Sequence, residues 1–140
     1  MPDDAIVPVG IDHIVLRVCS LDLMVAFYRD VLGCTLDRDR SDLGMMQMRA
    51  GSALIDLVDF SGPLGRDGGA APLAGGRNLD HVCIALAAFD EERIRHHLDA
   101  HGVAIGAIAE RYGAGGTGLS IYISDPEGNG IELKGATGAS

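Results

Sequence analysis

The chain has 140 residues, 47% of them hydrophobic, with 20 acidic against 11 basic side chains and a formal charge of −9; this suits one globular unit with a real core and repels a phosphate backbone. Only 4% of residues are aromatic and Trp is absent, so the platforms on which single-stranded bases stack are missing, and no apolar run approaches the ~20 residues of a membrane helix. The opening holds Asp3 and Asp4 where a secretory signal is basic and then apolar, and the expectation is a cytoplasmic protein that partners neither nucleic acid nor membrane.

In chain order, residues 11–18, IDHIVLRV, have the β-branched and aliphatic composition of a strand. A helix is predicted next, with Ser20 as N-cap, Met24, Phe27, Tyr28, Val31 and Leu32 on one stripe, and Gly33 as its stop. Three strands follow, at 36–40, 44–49 and 53–59. Residues 61–78 carry six glycines and two prolines, a composition that cannot bury a core and reads as a linker. The pattern then repeats. Residues 79–86, LDHVCIAL, copy the first strand, Asp90 caps a second helix bearing Ile94 and Leu98, Gly102 stops it, and strands are expected at 103–109, 119–124 and 130–134. His13 and His81, and likewise Gly33 and Gly102, are separated by the same offset to within one residue. Each half therefore reads βαβββ: module one at about 9–60, module two at about 79–135 and a linker between, forming a single α+β domain in which two paired modules make a cupped mixed sheet. The glycines at 113, 115, 116 and 118 read as a loop, with a mobile lid and a plain flexible connection both open. Cys19, Cys34 and Cys83 are odd in number and lack CxxC spacing, and they are read as small buried hydrophobes.

Alternation along the strands puts Ile14, Leu16 and Val18 toward the first helix and His13, Val15 and Arg17 on the other face. The same rule sets His81, Asp56 and Glu132 opposite the helices. Taken singly, each is more often a satisfied or solvated residue than a ligand. Together, two His and two carboxylates at equivalent positions converge on a divalent-metal site, because burying that much carboxylate without a cation costs several kcal/mol per unpaired charge. Imidazole plus carboxylate suits Zn, Ni, Mn, Fe or Co alike. His96, His97 and His101 sit at helical spacing with no further ligand nearby and are read as surface or interface residues.

The segments IDHIVLRV, AFYRDVLG, ALIDLVDF, LDHVCIAL and IYISDPEGNGIELKG, in this order, resemble the vicinal oxygen chelate superfamily, which includes glyoxalase I, extradiol dioxygenases, fosfomycin-resistance enzymes and bleomycin-binding proteins. The resemblance implies paired βαβββ modules around one divalent metal held by His13, Asp56, His81 and Glu132. It implies Glu132 or Asp56 as the catalytic base of a glyoxalase-type lyase or isomerase, acting through a metal-stabilised enediolate on a substrate with vicinal oxygens, a glutathione hemithioacetal among them. Arg17 keeps the spacing of an arginine that holds the glutathione carboxylate in the glyoxalase I branch, and Arg111 and Tyr122 are further substrate-binding candidates. Asp56 is one methylene shorter than the Glu usual in that branch. The alternatives are an Fe(II) extradiol-type dioxygenase using His13, His81 and Glu132, and a binding or resistance protein without chemistry. A homodimer is expected, with the cup closed either within one chain or across two.

Overall fold

Alternating apolar residues with a short helix between the first and second strands give each half of the chain the same solution. In the computed structural model, which describes residues 5–72 and 75–136, the first half runs β1 (His13–Val18), α1 (Leu21–Ala26), β2 (Thr35–Arg40), β3 (Met45–Ala50) and β4 (Ala53–Asp59). The second runs β5 (His81–Leu86), α2 (Glu91–Ala100), β6 (Ile108–Gly113), β7 (Gly116–Ser124) and β8 (Gly130–Gly135). The fold is α+β, with two four-stranded mixed sheets ordered β1-β4-β3-β2 and β5-β8-β7-β6. In each, the first strand lies parallel to the last and the rest is antiparallel. No helix among the described residues is long and apolar enough to cross a membrane.

The helical stripe forms as the spacing predicts, with Met24, Phe27 and Tyr28 buried, although α1 passes into a π-helical turn over Phe27–Val31 before Gly33 turns the chain at φ +73°. In α2 the Asp90 side chain accepts from the Arg93 amide, as a cap should. Ser20 occupies the N-cap position of α1 without a side-chain bond. The carboxylate of Glu127, from the other half, serves there instead and accepts from the Cys19 and Ser20 amides at 2.8–2.9 Å. Leu16, Val18, Ile55 and Leu57 of the first sheet join Ile121, Ile123, Ile131 and Leu133 of the second in one buried cluster, together with the helices. The helix-bearing sides of both modules thus share a single core, and the opposite faces of the sheets are turned outward.

Three expectations are corrected, and the linker is more tightly held than its composition suggests. The strand expected at 103–109 begins only at Ile108, since Gly106 and Ala107 both bond to Tyr122 of β7, the Gly106 amide donating to its carbonyl at 2.8 Å and the Ala107 carbonyl accepting from its amide at 3.0 Å, and two residues against one interrupt the ladder. The later glycine cluster is no free loop: Gly113 pairs with Gly116 at the tip of the β6–β7 hairpin. The linker is pinned, since it turns through a 3-10 helix at Gly65–Gly68 and its carbonyls at 65, 68, 69 and 70 are all gripped by Arg17. Of the three cysteines only Cys34 is buried; Cys19 and Cys83 are exposed, because both lie on or just beyond strand faces that the helices do not cover.

Candidate metal and substrate site

The parallel pairing of first and last strand sets each histidine beside its acid. His13 is level with Leu54 on β4, so Asp56 stands two residues along on the same face. His81 is level with Gly130 on β8, and Glu132 stands at the matching position. Asp56 and Glu132 are 4% and 5% exposed, which for carboxylates on a sheet's open face requires partners. Asp56 accepts from Gln47 Nε2 at 3.3 Å. Glu132 accepts from Ser120 Oγ at 2.6 Å and lies 3.0 Å from His81 Nε2.

Each histidine is also oriented by the residue before it. His13 Nδ1 lies 2.6 Å from Asp12 and His81 Nδ1 lies 2.7 Å from Asp80. An acid on Nδ1 fixes the ring, as a carboxylate does behind a metal-bound imidazole, and the Nε2 of His81 so oriented meets Glu132 Oε1 at 3.0 Å. The same acids act on protonation: the hydrogen bond to Asp80 raises the pKa of His81 against the opposing effect of burial, with Glu132 adding to the rise. Asp12 raises that of His13 in the same way. Burial pushes Glu132 up, but hydrogen bonds from Ser120, Tyr122, His81 and Cys83 outweigh it and keep the carboxyl below its usual range. Cys83, level with Glu132 on β5, is pushed up to about 11 by partial burial and then by that carboxylate.

The structure brings the four predicted ligands together as two pairs, His13 with Asp56 and His81 with Glu132. It does not bring the pairs to each other: among the described residues no cluster of three or more His, Cys, Asp or Glu is placed to hold a metal. This follows from the shared core, which directs the two His-bearing faces outward. Each pair joins an imidazole to a carboxylate, donor types that suit a metal, with both acids buried and His13 exposed.

Of the substrate-binding candidates, Arg17 is held by four linker carbonyls, so its guanidinium secures the linker in this arrangement. Arg111 and Tyr122 are together on the outward face of the second sheet, with Arg111 Nε donating to the Tyr122 hydroxyl at 3.1 Å and the guanidinium 5.6 Å from the ring centroid. Tyr122 is level with Glu132 and its ring meets His81 edge-on at 5.7 Å. His97 bonds the Val31 carbonyl at 2.8 Å and His101 the His97 carbonyl at 2.9 Å, so both are structural. The sequence reading missed Gln47, Ser120 and the two aspartates of the repeated Asp-His doublet. The doublet itself was the available signal for Asp12 and Asp80, whereas Gln47 and Ser120 are set by cross-strand register.

Comparison with known proteins agrees with this architecture. The family model described as Glyoxalase/Bleomycin resistance protein/Dioxygenase superfamily matches residues 10–133. Virulence protein STM3117 of Salmonella typhimurium is 31% identical over 131 residues, covering 89% of this chain and 82% of that protein. Its crystal structure superposes with a TM-score of 0.73 at 25% identity over 94% of this chain and 99% of that one. An integron cassette protein, VCH_CASS1, from the mobile metagenome of V. cholerae superposes with a TM-score of 0.75 at 24% identity, covering 93% and 97% of the two chains. Lactoylglutathione lyase from Agrobacterium tumefaciens does so at 0.66 with 24% identity, covering 91% and 94%.

Proposed function

The chain belongs to the glyoxalase/bleomycin resistance protein/dioxygenase superfamily, and on that premise we propose that it is a single-domain, metal-dependent lyase or isomerase of glyoxalase type whose site is completed by a second copy of itself. The observation that carries the reading is the equivalence of the two pairs: each is one ring held at Nδ1 by the preceding Asp, beside one buried carboxylate two residues along the neighbouring strand. A homodimer that laid the first sheet of one chain against the second sheet of its partner would unite His13 and Asp56 with His81 and Glu132. The strands available for this are β1 and β5, each an edge of its sheet. Their far counterparts β2 and β6 carry runs of charge such as Asp37 to Arg40 that discourage edge pairing.

A divalent ion at that junction would supply positive charge to two adjacent substrate oxygens and so acidify the neighbouring C–H. The chain's own groups do the rest. His13 and His81 present Nε2 at fixed angles. Glu132 is the proton carrier: kept ionised by its hydrogen bonds, it accepts the proton from the substrate carbon and returns it to the adjacent one. Asp56 occupies the equivalent place in the other module and is the candidate for the same task on the opposite side of the substrate. Tyr122 and Arg111 border Glu132 and would orient the substrate's polar end.

The experiment is metal analysis of protein purified without added ions, then assay with methylglyoxal plus glutathione and, after anaerobic Fe(II) loading, with catechols. One ion per two-pair site and hemithioacetal turnover support the reading. Ring cleavage of catechol would move the protein to the dioxygenase class, and ligand sequestration without turnover to the binding class. His81→Ala is expected to lose stoichiometric metal while remaining folded, and metal retention in that variant would place the site elsewhere. Mixing His13→Ala chains with Glu132→Ala chains tests sharing across subunits: a heterodimer regains one intact site of two, whereas pairing within one chain gives no recovery.

A further inference from the structure

Ahead of β1, residues 5–11 read AIVPVGI and form an arm outside any helix or strand. Ile6, Val7, Val9 and Ile11 are all exposed, Val9 completely so. The arm has no charged side chain in a protein where 22% of residues are charged, so this is a run of uncovered aliphatic surface that gains by being buried.

A surface of matching character lies along β5. A groove of about 620 Å³ is lined by residues 82–87, by the β3–β4 hairpin at 50–55, by residues 32–34 after the first helix, and by Ile11 and Ile14. None of the lining residues is charged, and Ser52 carries their one hydroxyl. Successive residues of β5, from both of its faces, border the groove, which places it along the strand's edge. That edge is open, since β5 ends its sheet and no strand among the described residues pairs with its far side. Leu86 accepts from the Ala136 amide on the β8 side. Alternation therefore turns the backbone groups of Val82, Ile84 and Leu86 to β8 and those of Cys83 and Ala85 to the groove.

We infer that the groove takes residues 6–11 of a second copy, added as a strand beside β5, so that two chains exchange their arms. The inference rests on the proposed cup for its register. Two equivalent ligand pairs about one ion are related by a local two-fold, which runs β1 of one chain antiparallel to β5 of the other with His13 level with His81. Continued back along the arm, this register sets Ile11, Val9 and Val7 opposite Cys83, Ala85 and Ala87, the positions whose backbone groups face the groove. Pro8, which has no amide to donate, falls opposite Leu86, whose groups are engaged by β8. Side-chain size agrees: the bulk of Ile11, Val9 and Val7 meets a cysteine and two alanines on one face, and Gly10 meets Ile84 on the other. The chain's own arm leaves the groove at Ile11 and carries the fully exposed Val9 away from it. The meeting of His13 with His81 delivers the arm of the second copy to the same place.

The test uses the full chain. Val9→Cys and Ala85→Cys are introduced together, with Cys19→Ser and Cys83→Ser to remove the exposed native thiols, and the protein is gently oxidised at micromolar concentration. Directly opposed positions on antiparallel strands lie within disulfide reach, so a covalent dimer is expected on a non-reducing gel, absent when either new cysteine is present alone. A disulfide closed within one chain, no disulfide, or a dimer formed equally well by one new cysteine would each overturn the exchange. Val9→Asp in the otherwise unaltered chain, at a position fully exposed in the single copy, should leave the fold intact and weaken self-association at least tenfold in sedimentation; unchanged association would also overturn it. The cup is judged separately by mixing His13→Ala with Glu132→Ala chains. Restored metal binding without the cross-link keeps the cup and discards the arm, and the cross-link without restored metal binding keeps the arm and discards the cup.

Discussion

The Tyr28 hydroxyl donates to Asp125 Oδ2 at 2.8 Å across 97 residues of sequence, with both groups buried. It joins the helical turn of module one to the tight turn before β8, and burial followed by the nearby Asp125 charge raises the phenol's pKa far above its ordinary value. Asp125 retains the Glu127 and Asn129 amides and the Asn129 side chain when the phenol is removed. Tyr28→Phe is therefore expected to cost about 1.5–3 kcal/mol, the range for a hydrogen bond to a charged group. Urea unfolding should show the loss as a lower midpoint with an unchanged slope; a reduced slope would mean that the modules no longer unfold together.

Cys83 should be a slow thiol despite its exposure. A pKa near 11 in place of 9.0 leaves about a hundredfold less thiolate at pH 8. Iodoacetamide is expected to label it correspondingly more slowly than a free cysteine. Glu132→Gln, which removes the charge that opposes ionisation, should accelerate labelling, and an unchanged rate in that variant would leave burial as the whole cause.

The Asp80–His81 bond predicts a pH dependence in the metal-free protein. Because the folded pKa of His81 is raised above 6.5, its stabilising contribution is complete below pH 6.5 and disappears as pH climbs through the folded value. Asp80→Asn should lower stability at pH 6 more than at pH 9. Equal losses at both pH values would show that the aspartate acts on the ring only by position.

Asp56→Glu tests whether the shorter carboxylate reaches a metal directly. The Gln47 amide, 3.3 Å away, is the only hydrogen-bond partner of the Asp56 side chain among the described residues, so lengthening the side chain puts only that weak bond at risk. Metal affinity in the longer variant is expected to match or exceed that of the parent in a calorimetric titration. A clear loss would show that Asp56 already ligates in a site without that room.

Arg17 gives the last prediction. Replacing it by Met removes every side-chain bond that holds the carbonyls of residues 65–70, and limited proteolysis should then cut within that segment while the modules survive as folded fragments. Cleavage at the parent rate would mean that the linker is held by its own turn.

What the sequence made legible was whatever repeats locally. The doublets at Asp12-His13 and Asp80-His81, the glycine stops at 33 and 102 and the alternation around Asp56 and Glu132 placed strands, helices and both outward-facing pairs. The β4 boundaries, 53–59, coincide with the observed strand. Interactions between distant segments were not legible. Glu127 capping α1, Arg17 gripping the linker and Tyr28 reaching Asp125 depend on how the modules are set against each other, and no periodicity encodes that.

The parallel pairing of first and last strands also orders events in time. The β2–β3 and β3–β4 ladders join neighbouring strands, whereas β1 meets β4 across a loop of about forty residues, and β5 meets β8 across a still longer one; closing such loops costs more chain entropy before any contact is gained. Docking of the histidine strands is thus expected to be late in each module. His13 and Asp56, and His81 and Glu132, become neighbours only when that slow step is done, so a nascent or half-collapsed chain presents its histidines and acids singly.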